Sequence, residues 1–232
     1  MSLLLDCLLA YFIGAIPFGV IVCRSKGIDI FKFGSGNPGA TNVSRAVGKP
    51  LGALVFLLDV LKGLVPALIA RQNVTQDLYG MHAQAWWFVA GLCAVLGHCY
   101  SVFLRFRGGK GIATSLGAGL GASPAVAGSA FGIFFVLFGV TRYVSLASIA
   151  AAIAGPIFGW VIPGQARELV PVYGLLAVFV VIRHRANIRR LLNGTEPKFE
   201  SKKKSASNPP LGETDPSLDE RRSETGGNPD AQ

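Results

Sequence analysis

Apolar residues in this chain come in long unbroken runs, not in the alternating or 3.6-residue stripes of half-buried elements. The runs lie at 3–23, 51–70, 86–104, 112–122, 124–140, 144–162 and 169–182. A helix crosses the hydrocarbon core of a bilayer with about 20 predominantly apolar residues. Backbone in lipid must satisfy its own hydrogen bonds, which favours helices. The pattern therefore predicts an all-α polytopic membrane bundle of about seven transmembrane helices. The runs at 112–122 and 169–182 are short for a crossing, so five is the lower bound. The first run does not read as a removable signal: no basic stretch precedes it, Asp6 lies within it, and no small-residue cleavage pattern follows.

Composition agrees with this picture. Of 232 residues, 51% are hydrophobic and only 15% charged, where soluble domains average about 25% charged. Seven crossings place the loops 24–50, 105–111 and 141–143, and everything past 183, on one side. That side collects Arg24, Lys26, Lys32, Arg45, Lys49, Arg105, Arg107, Lys110, Arg142, Arg183, Arg185, Arg189 and Arg190, against Arg71 and Arg167 on the other. The positive-inside rule makes the basic side cytoplasmic, with the N-terminus outside and the C-terminus in the cytoplasm. The basic groups thus trace a membrane boundary, and the sequence pI of about 9.7 does not signal a nucleic-acid partner.

Past position 199 the chain turns polar and rich in Pro, Gly and Ser, with five basic and seven acidic residues. Such a segment cannot bury enough apolar surface to order itself. The expected division is a transmembrane domain over 1–198 and a disordered cytoplasmic tail over 199–232, in which Lys202 to Lys204 could touch anionic lipid. Cys7, Cys23, Cys93 and Cys99 lie in or beside apolar runs without zinc-site spacing and read as packed thiols. Abundant glycine, as in "GAGLGASPAVAGSAFG", suggests closely packed spans. Asp59 and Lys62 sit three residues apart inside the second run, either neutralising one another or facing an interior polar site.

Three polar clusters break the apolar pattern, all at the expected cytoplasmic ends of spans. "FGSGNPGATNVSR" brings Ser35, Asn37, Thr41 and Asn42 together with Arg45, which can hold a phosphate or carboxylate bidentately. A plain alternative is a turn followed by a helix capped by Thr41 or Asn42. "GHCYSVFLRFRGGKGIAT" sets Gly108, Gly109 and Gly111 around Lys110 just before a new helix. Exposed backbone N–H groups there would attract phosphate, or the turn could grip lipid headgroups. The spacing is not a Walker A loop. "IRHRANIRRLLNGTEPKF" offers His184 and Asn187 on one helical face, with Arg189, Arg190 and Glu196; a juxtamembrane amphipathic helix explains the arginines equally well. His98 reads as a hydrogen-bonded packing residue. No metal-ligand set and no aspartate pair for magnesium is visible, so neither metal nor cofactor is expected.

These segments, with "LDVLKG" and "TRYVSL", resemble the signature blocks of the bacterial acyl-phosphate:glycerol-3-phosphate acyltransferases, the PlsY family. The resemblance covers about residues 5–199. One departure is Cys99 and Ser101 around Tyr100, where many relatives carry H-x-F/Y-P/S-V-F. The resemblance implies seven spans in the bacterial inner membrane. It also implies transfer of a fatty acyl group from acyl phosphate to the 1-hydroxyl of glycerol 3-phosphate, giving lysophosphatidic acid. Gly108, Gly109, Lys110 and Gly111 would take the glycerol 3-phosphate headgroup. Ser35, Asn37 and Arg45, with Thr41 and Asn42 nearby, would position the acyl phosphate. His184 and Asn187 would orient or deprotonate the attacking hydroxyl, Glu196 would organise its basic neighbours, and Arg142 and Ser145 would assist. Direct attack without an acyl-enzyme is expected, the proton passing to His184 or to the substrate's phosphate. An enzyme that supplies acyl phosphate is a candidate partner. The rival classes are a transporter for a phosphorylated small molecule, against which the one-sided clusters and the absence of an internal repeat speak, and a lipid-binding scaffold.

Overall fold

A computed structural model describes residues 3–199; residues 200–232, and with them nearly all of the expected tail, lie outside the described residues. Each of the seven apolar runs coincides with helix. The first is split into α1 (Leu3–Ala15) and α2 (Phe18–Arg24). The others are α4 (Lys49–Asn73), α5 (Ala83–Cys99), α6 (Ile112–Ala122), α7 (Pro124–Thr141), α8 (Val144–Val161) and α9 (Leu169–Arg183). Two further helices, α3 (Ala40–Val47) and α10 (Arg185–Leu192), belong to the polar clusters, where hydropathy is silent. Five stretches are long and apolar enough to cross a membrane: 3–24, 49–73, 83–104, 124–141 and 144–161. A sixth forms if α9 and α10, bent by 61°, count as one, and α6 is a shorter apolar helix.

The split in the first span has a local cause. Pro17 has no N–H to give and its ring cannot continue the helix. The chain therefore turns at Ile16 and Pro17, where Phe18 N–H bonds back to Ile16 O at 3.2 Å and side chains reach in to the carbonyls of the break. Ser101 Oγ donates to Ala15 O at 2.6 Å and Lys62 Nζ donates to Ile16 O at 3.0 Å. Non-helical backbone at membrane depth is tolerated where neighbouring groups satisfy it in this way.

Glycine sets the tightest helix contacts. A Cβ on Gly63 would lie 2.0 Å from Thr114 O, and one on Gly117 would lie 1.9 Å from Val60 O, so α4 and α6 touch backbone to backbone. Gly14 and Gly97 do the same for α1 and α5. The expectation of close packing fails in the α7 half of the glycine-rich stretch: nothing lies within 4 Å of a Cβ on Gly128 or Gly132. Helix α7 buries little besides Val126 and turns most of its surface outward.

Where α5 and α9 begin, the bundle is closed by polar side chains. Gln84 Nε2 donates to Ala122 O at 3.0 Å and to Gln165 Oε1 at 3.2 Å, and Gln84 Oε1 accepts the Ala166 N–H at 3.0 Å. Ser123 Oγ also donates to Gln165 Oε1. Behind this latch lies a core of Phe88, Ala118, Ala122, Val126, Leu169 and Tyr173.

Candidate active site

The polar clusters meet where α5 and α9 end. After α5 the chain makes a short 3₁₀ turn at 102–104 and folds back on the helix it has left. Gly108 N–H donates to Cys99 O and Gly109 N–H to His98 O, both at 3.1 Å. Two of the amides expected to be bare are therefore committed to holding the loop. Lys110, Gly111 and the first turn of α6, where helix N–H groups have no intrahelical partner, supply the remaining donors. A side chain would not fit in this fold-back: a Cβ on Gly109 would lie 2.1 Å from His98 Nε2. Gly111, at φ +83°, turns the chain into α6. On the opposite face Arg183, in the last turn of α9, donates through Nη2 to Gly108 O at 3.2 Å and Gly109 O at 2.5 Å.

From this loop a hydrogen-bonded chain runs through the other clusters. Lys110 Nζ donates to Asn187 Oδ1. Asn187 Nδ2 donates to Glu196 Oε1 at 2.6 Å, and the same oxygen accepts Ser145 Oγ at 2.6 Å. Arg190 Nε pairs with Glu196 Oε2 at 2.7 Å. One residue on, Pro197 O accepts Arg45 Nη2 at 3.2 Å. Lys110, Ser145 and Asn187 are thus joined through one buried carboxylate, and Arg45 reaches the same segment through the adjoining Pro197 carbonyl.

His184 forms the corner between α9 and α10 and is 2% exposed. Its Nδ1 pairs with Val180 O at 2.8 Å; with the proton there, Nε2 carries the lone pair. Burial pushes the imidazole down to about 4, with the nearby Lys110 charge adding to the effect. The ring is neutral at physiological pH. Burial also lowers Lys110, to about 8, against the pull of Glu196 and helped by Arg190, Arg183 and Arg45. For Glu196 burial works upward, but donors from Ser145, Asn187 and Arg190 outweigh it and hold the carboxyl below its usual range. Four cations around one carboxylate leave a positive surplus suited to anions.

The remaining predicted residues divide. Asn42, 2% exposed, braces the first loop: Nδ2 donates to Phe33 O at 2.9 Å and Oδ1 accepts the Ser35 N–H at 3.2 Å. Neither Thr41 nor Asn42 caps α3; Gly39 occupies that position and both lie inside the helix. Ser35 is exposed, while Asn37 and Thr41 are half-buried at the same loop. Arg142 ends α7 in a left-handed conformation (φ +62°), exposed, and among the described residues its side chain joins none of these contacts. Arg183 escaped sequence reading as a site residue because it looks like one more cation at a basic boundary. Among the described residues, no three His, Cys, Asp or Glu side chains gather as a metal site requires.

An all-helical membrane bundle with a cationic pocket at its helix ends is the class of protein that these features define. Residues 4–194 match the family described as glycerol-3-phosphate acyltransferase. Among curated relatives, the glycerol-3-phosphate acyltransferase of Geobacter sulfurreducens is 46% identical over 193 residues, 83% of this chain and 95% of its own length. That of Aquifex aeolicus is 45% identical over 190 residues, 82% and 95% respectively. Crystal structures of PlsY (YgiH), an integral membrane glycerol 3-phosphate acyltransferase, superpose with TM-scores of 0.78 for the glycerol 3-phosphate form and 0.76 for the lysophosphatidic acid form. Both are 44% identical and cover 86% of this chain and 96% of theirs. The chain belongs to the glycerol-3-phosphate acyltransferase family.

Proposed function

We propose that this protein transfers a fatty acyl group from acyl phosphate to the 1-hydroxyl of glycerol 3-phosphate, giving lysophosphatidic acid and inorganic phosphate. The catalytic unit is residues 1–198, crossing the bacterial inner membrane seven times with its N-terminus outside and the site at the cytoplasmic face. The observation that carries the reading is the chain Lys110–Asn187–Glu196–Ser145, with Arg45 at its end, which binds three cationic segments into one pocket.

Lys110 and the N–H groups opening α6 hold the glycerol 3-phosphate headgroup, while Gly108 and Gly109 give that loop its shape. Arg45, with Ser35 and Asn37, positions the acyl phosphate; Asn42 and Thr41 support their loop, and Arg142 lies at the rim. The acyl chain lies in the apolar groove lined by Ile112, Leu116, Phe131, Phe134, Tyr173 and Val180, which starts one residue beyond Gly111. The hydroxyl oxygen attacks the acyl carbonyl carbon, the new ester C–O bond forms, and the carbonyl–phosphate bond breaks to release phosphate.

An acyl phosphate is a mixed anhydride with a good leaving group, so the protein chiefly has to bring two anions together. Orientation of this kind contributes about 7–11 kcal/mol, and each donor aimed at the developing oxyanion about 2.7–4 kcal/mol. No acyl-enzyme is needed. A neutral His184 held down at about 4 is a weak base. It orients the hydroxyl through Nε2, and the proton goes to a substrate phosphate, whose second pKa is about 6.

The test mixes radiolabelled glycerol 3-phosphate, palmitoyl phosphate and detergent-solubilised protein. Labelled lipid must form without acyl-CoA or acyl carrier protein; its absence rejects the reading. An acyl adduct trapped on the protein during turnover rejects direct transfer. Labelling from outside the cell must find Arg45, Lys110 and His184 on one face.

A further inference from the structure

Beneath the site lies a second charged cluster that no step above uses. Asp59 and Lys62, on α4, pair at 2.8 Å with their side chains 4% and 3% exposed. His98, near the end of α5, brings Nδ1 to 3.6 Å from the same Asp59 oxygen. Charges this deep are costly even when paired, and ionisable groups within spans mark function; the contacts of this cluster indicate one. Lys62 Nζ grips Ile16 O at the break between α1 and α2. The far side of that break supports the first cluster: a Cβ on Gly19 would lie 1.9 Å from Pro38 O. At the other end His98 carries the glycine–lysine loop, through its carbonyl to the Gly109 N–H and through its ring against Gly109. Ile16, Pro38, Asp59, Lys62, His98 and Gly109 line one small shared cavity.

We propose that Asp59, Lys62 and His98 are positioning residues: a buried charge cluster that sets the 108–111 loop against the 33–39 loop, and so fixes the separation of the two substrates. None touches a substrate. The proposal rests on the site reading above, in which one loop holds glycerol 3-phosphate and the other acyl phosphate. Displacements of about 1 Å in such geometry can cost roughly 100-fold in rate.

The experiment uses the full chain in detergent and measures melting temperature, kcat and KM for each substrate. Removing Asp59 or Lys62 alone strands a buried charge and endangers folding, so the main variant is the neutral pair Asp59→Asn with Lys62→Met, beside His98→Ala and His98→Gln. The expected result is a KM for glycerol 3-phosphate raised about tenfold in the pair and in His98→Ala. The pair keeps the melting temperature close to that of the wild type. His98→Gln, which still offers Asp59 a donor, recovers most of the loss. Unchanged KM in folded variants, a fall in melting temperature alone, or failure of all variants to fold each overturns positioning. Lys110→Ala separates the two readings. If it raises KM and the cluster variants do not, only this inference fails; if wild type makes no lysophosphatidic acid, or Lys110→Ala leaves KM unmoved, the site reading fails and this one with it.

Discussion

Two imidazole–carboxylate neighbourhoods lie at opposite ends of α5 and α9, and the contrast between them shows what makes a site. Where these helices begin, His82 is exposed, its Nδ1 is taken by Glu168, and Gln84 and Gln165 spend their amides on each other and on backbone. Where they end, His184 is buried, its Nδ1 is committed to Val180, and cations outnumber the single carboxylate. The same residue types are satisfied at one end and left with surplus charge at the other. On the proposed reading anion binding follows the surplus, because cations that outnumber the carboxylate beside them gain from charge-assisted hydrogen bonds to an incoming anion.

The most direct way to break this contrast is to remove the surplus. Lys110→Ala and Arg45→Ala should fold and lose about 10²–10³-fold in activity, on the scale of deleting one preorganised donor. The Lys110 change should also raise the glycerol 3-phosphate requirement. Full activity in both variants would erase the distinction between the two ends.

Glu196→Gln keeps the size of the hub but removes the charge that holds Arg190, Asn187 and Ser145. Charge-assisted hydrogen bonds contribute roughly 1.5–3 kcal/mol, so kcat/KM should fall about 10- to 100-fold, with helix content by circular dichroism unchanged. Acidity sharpens the comparison next. Lys110 sits at about 8 in the free protein and binds anions only when protonated. So kcat/KM for glycerol 3-phosphate should decline as pH rises through that value. In Lys110→Arg, whose guanidinium does not titrate in this range, any remaining activity should show no such decline.

The smallest effect belongs to the other end. The Glu168 hydrogen bond raises the His82 pKa, and the His82 contacts lower Glu168 to about 2. The raised histidine stabilises below its unfolded pKa and loses that contribution as pH climbs through its folded value. The depressed carboxylate stabilises above its unfolded pKa and loses that contribution as pH falls towards 2. The two windows overlap in mildly acidic solution. His82→Gln should therefore lower the melting temperature slightly at pH 5.5, change it less at pH 8.5, and leave kcat untouched.

Hydropathy alone located every apolar helix, because lipid imposes the same demand on each: apolar and internally hydrogen-bonded. It could not show α3 and α10, whose order comes from contacts with other segments, nor the break at Pro17, where Ile16 O and Ala15 O accept side chains 46 and 86 residues away. Composition singled out Lys110, Arg45, Asn187 and Glu196 as chemistry-bearing, but their linkage through the Glu196 carboxylate and the adjoining Pro197 carbonyl is a property of the fold. The error over Gly108 and Gly109 is instructive: glycine leaves an amide accessible in principle, and here the fold-back onto α5 consumes it. Asp59 and Lys62 were readable as a pair three residues apart, whereas His98 joins them only because α4 and α5 pack together.

Helix α6 has 11 residues, which at 1.5 Å each cover about half the thickness of a bilayer core. The remaining depth at that point is sealed by the Gln84–Gln165–Ser123 latch and the aromatic packing behind it. On the proposed reading, the phosphate chemistry therefore stays at one end of the bundle, and packed side chains fill the depth that the short helix leaves uncovered.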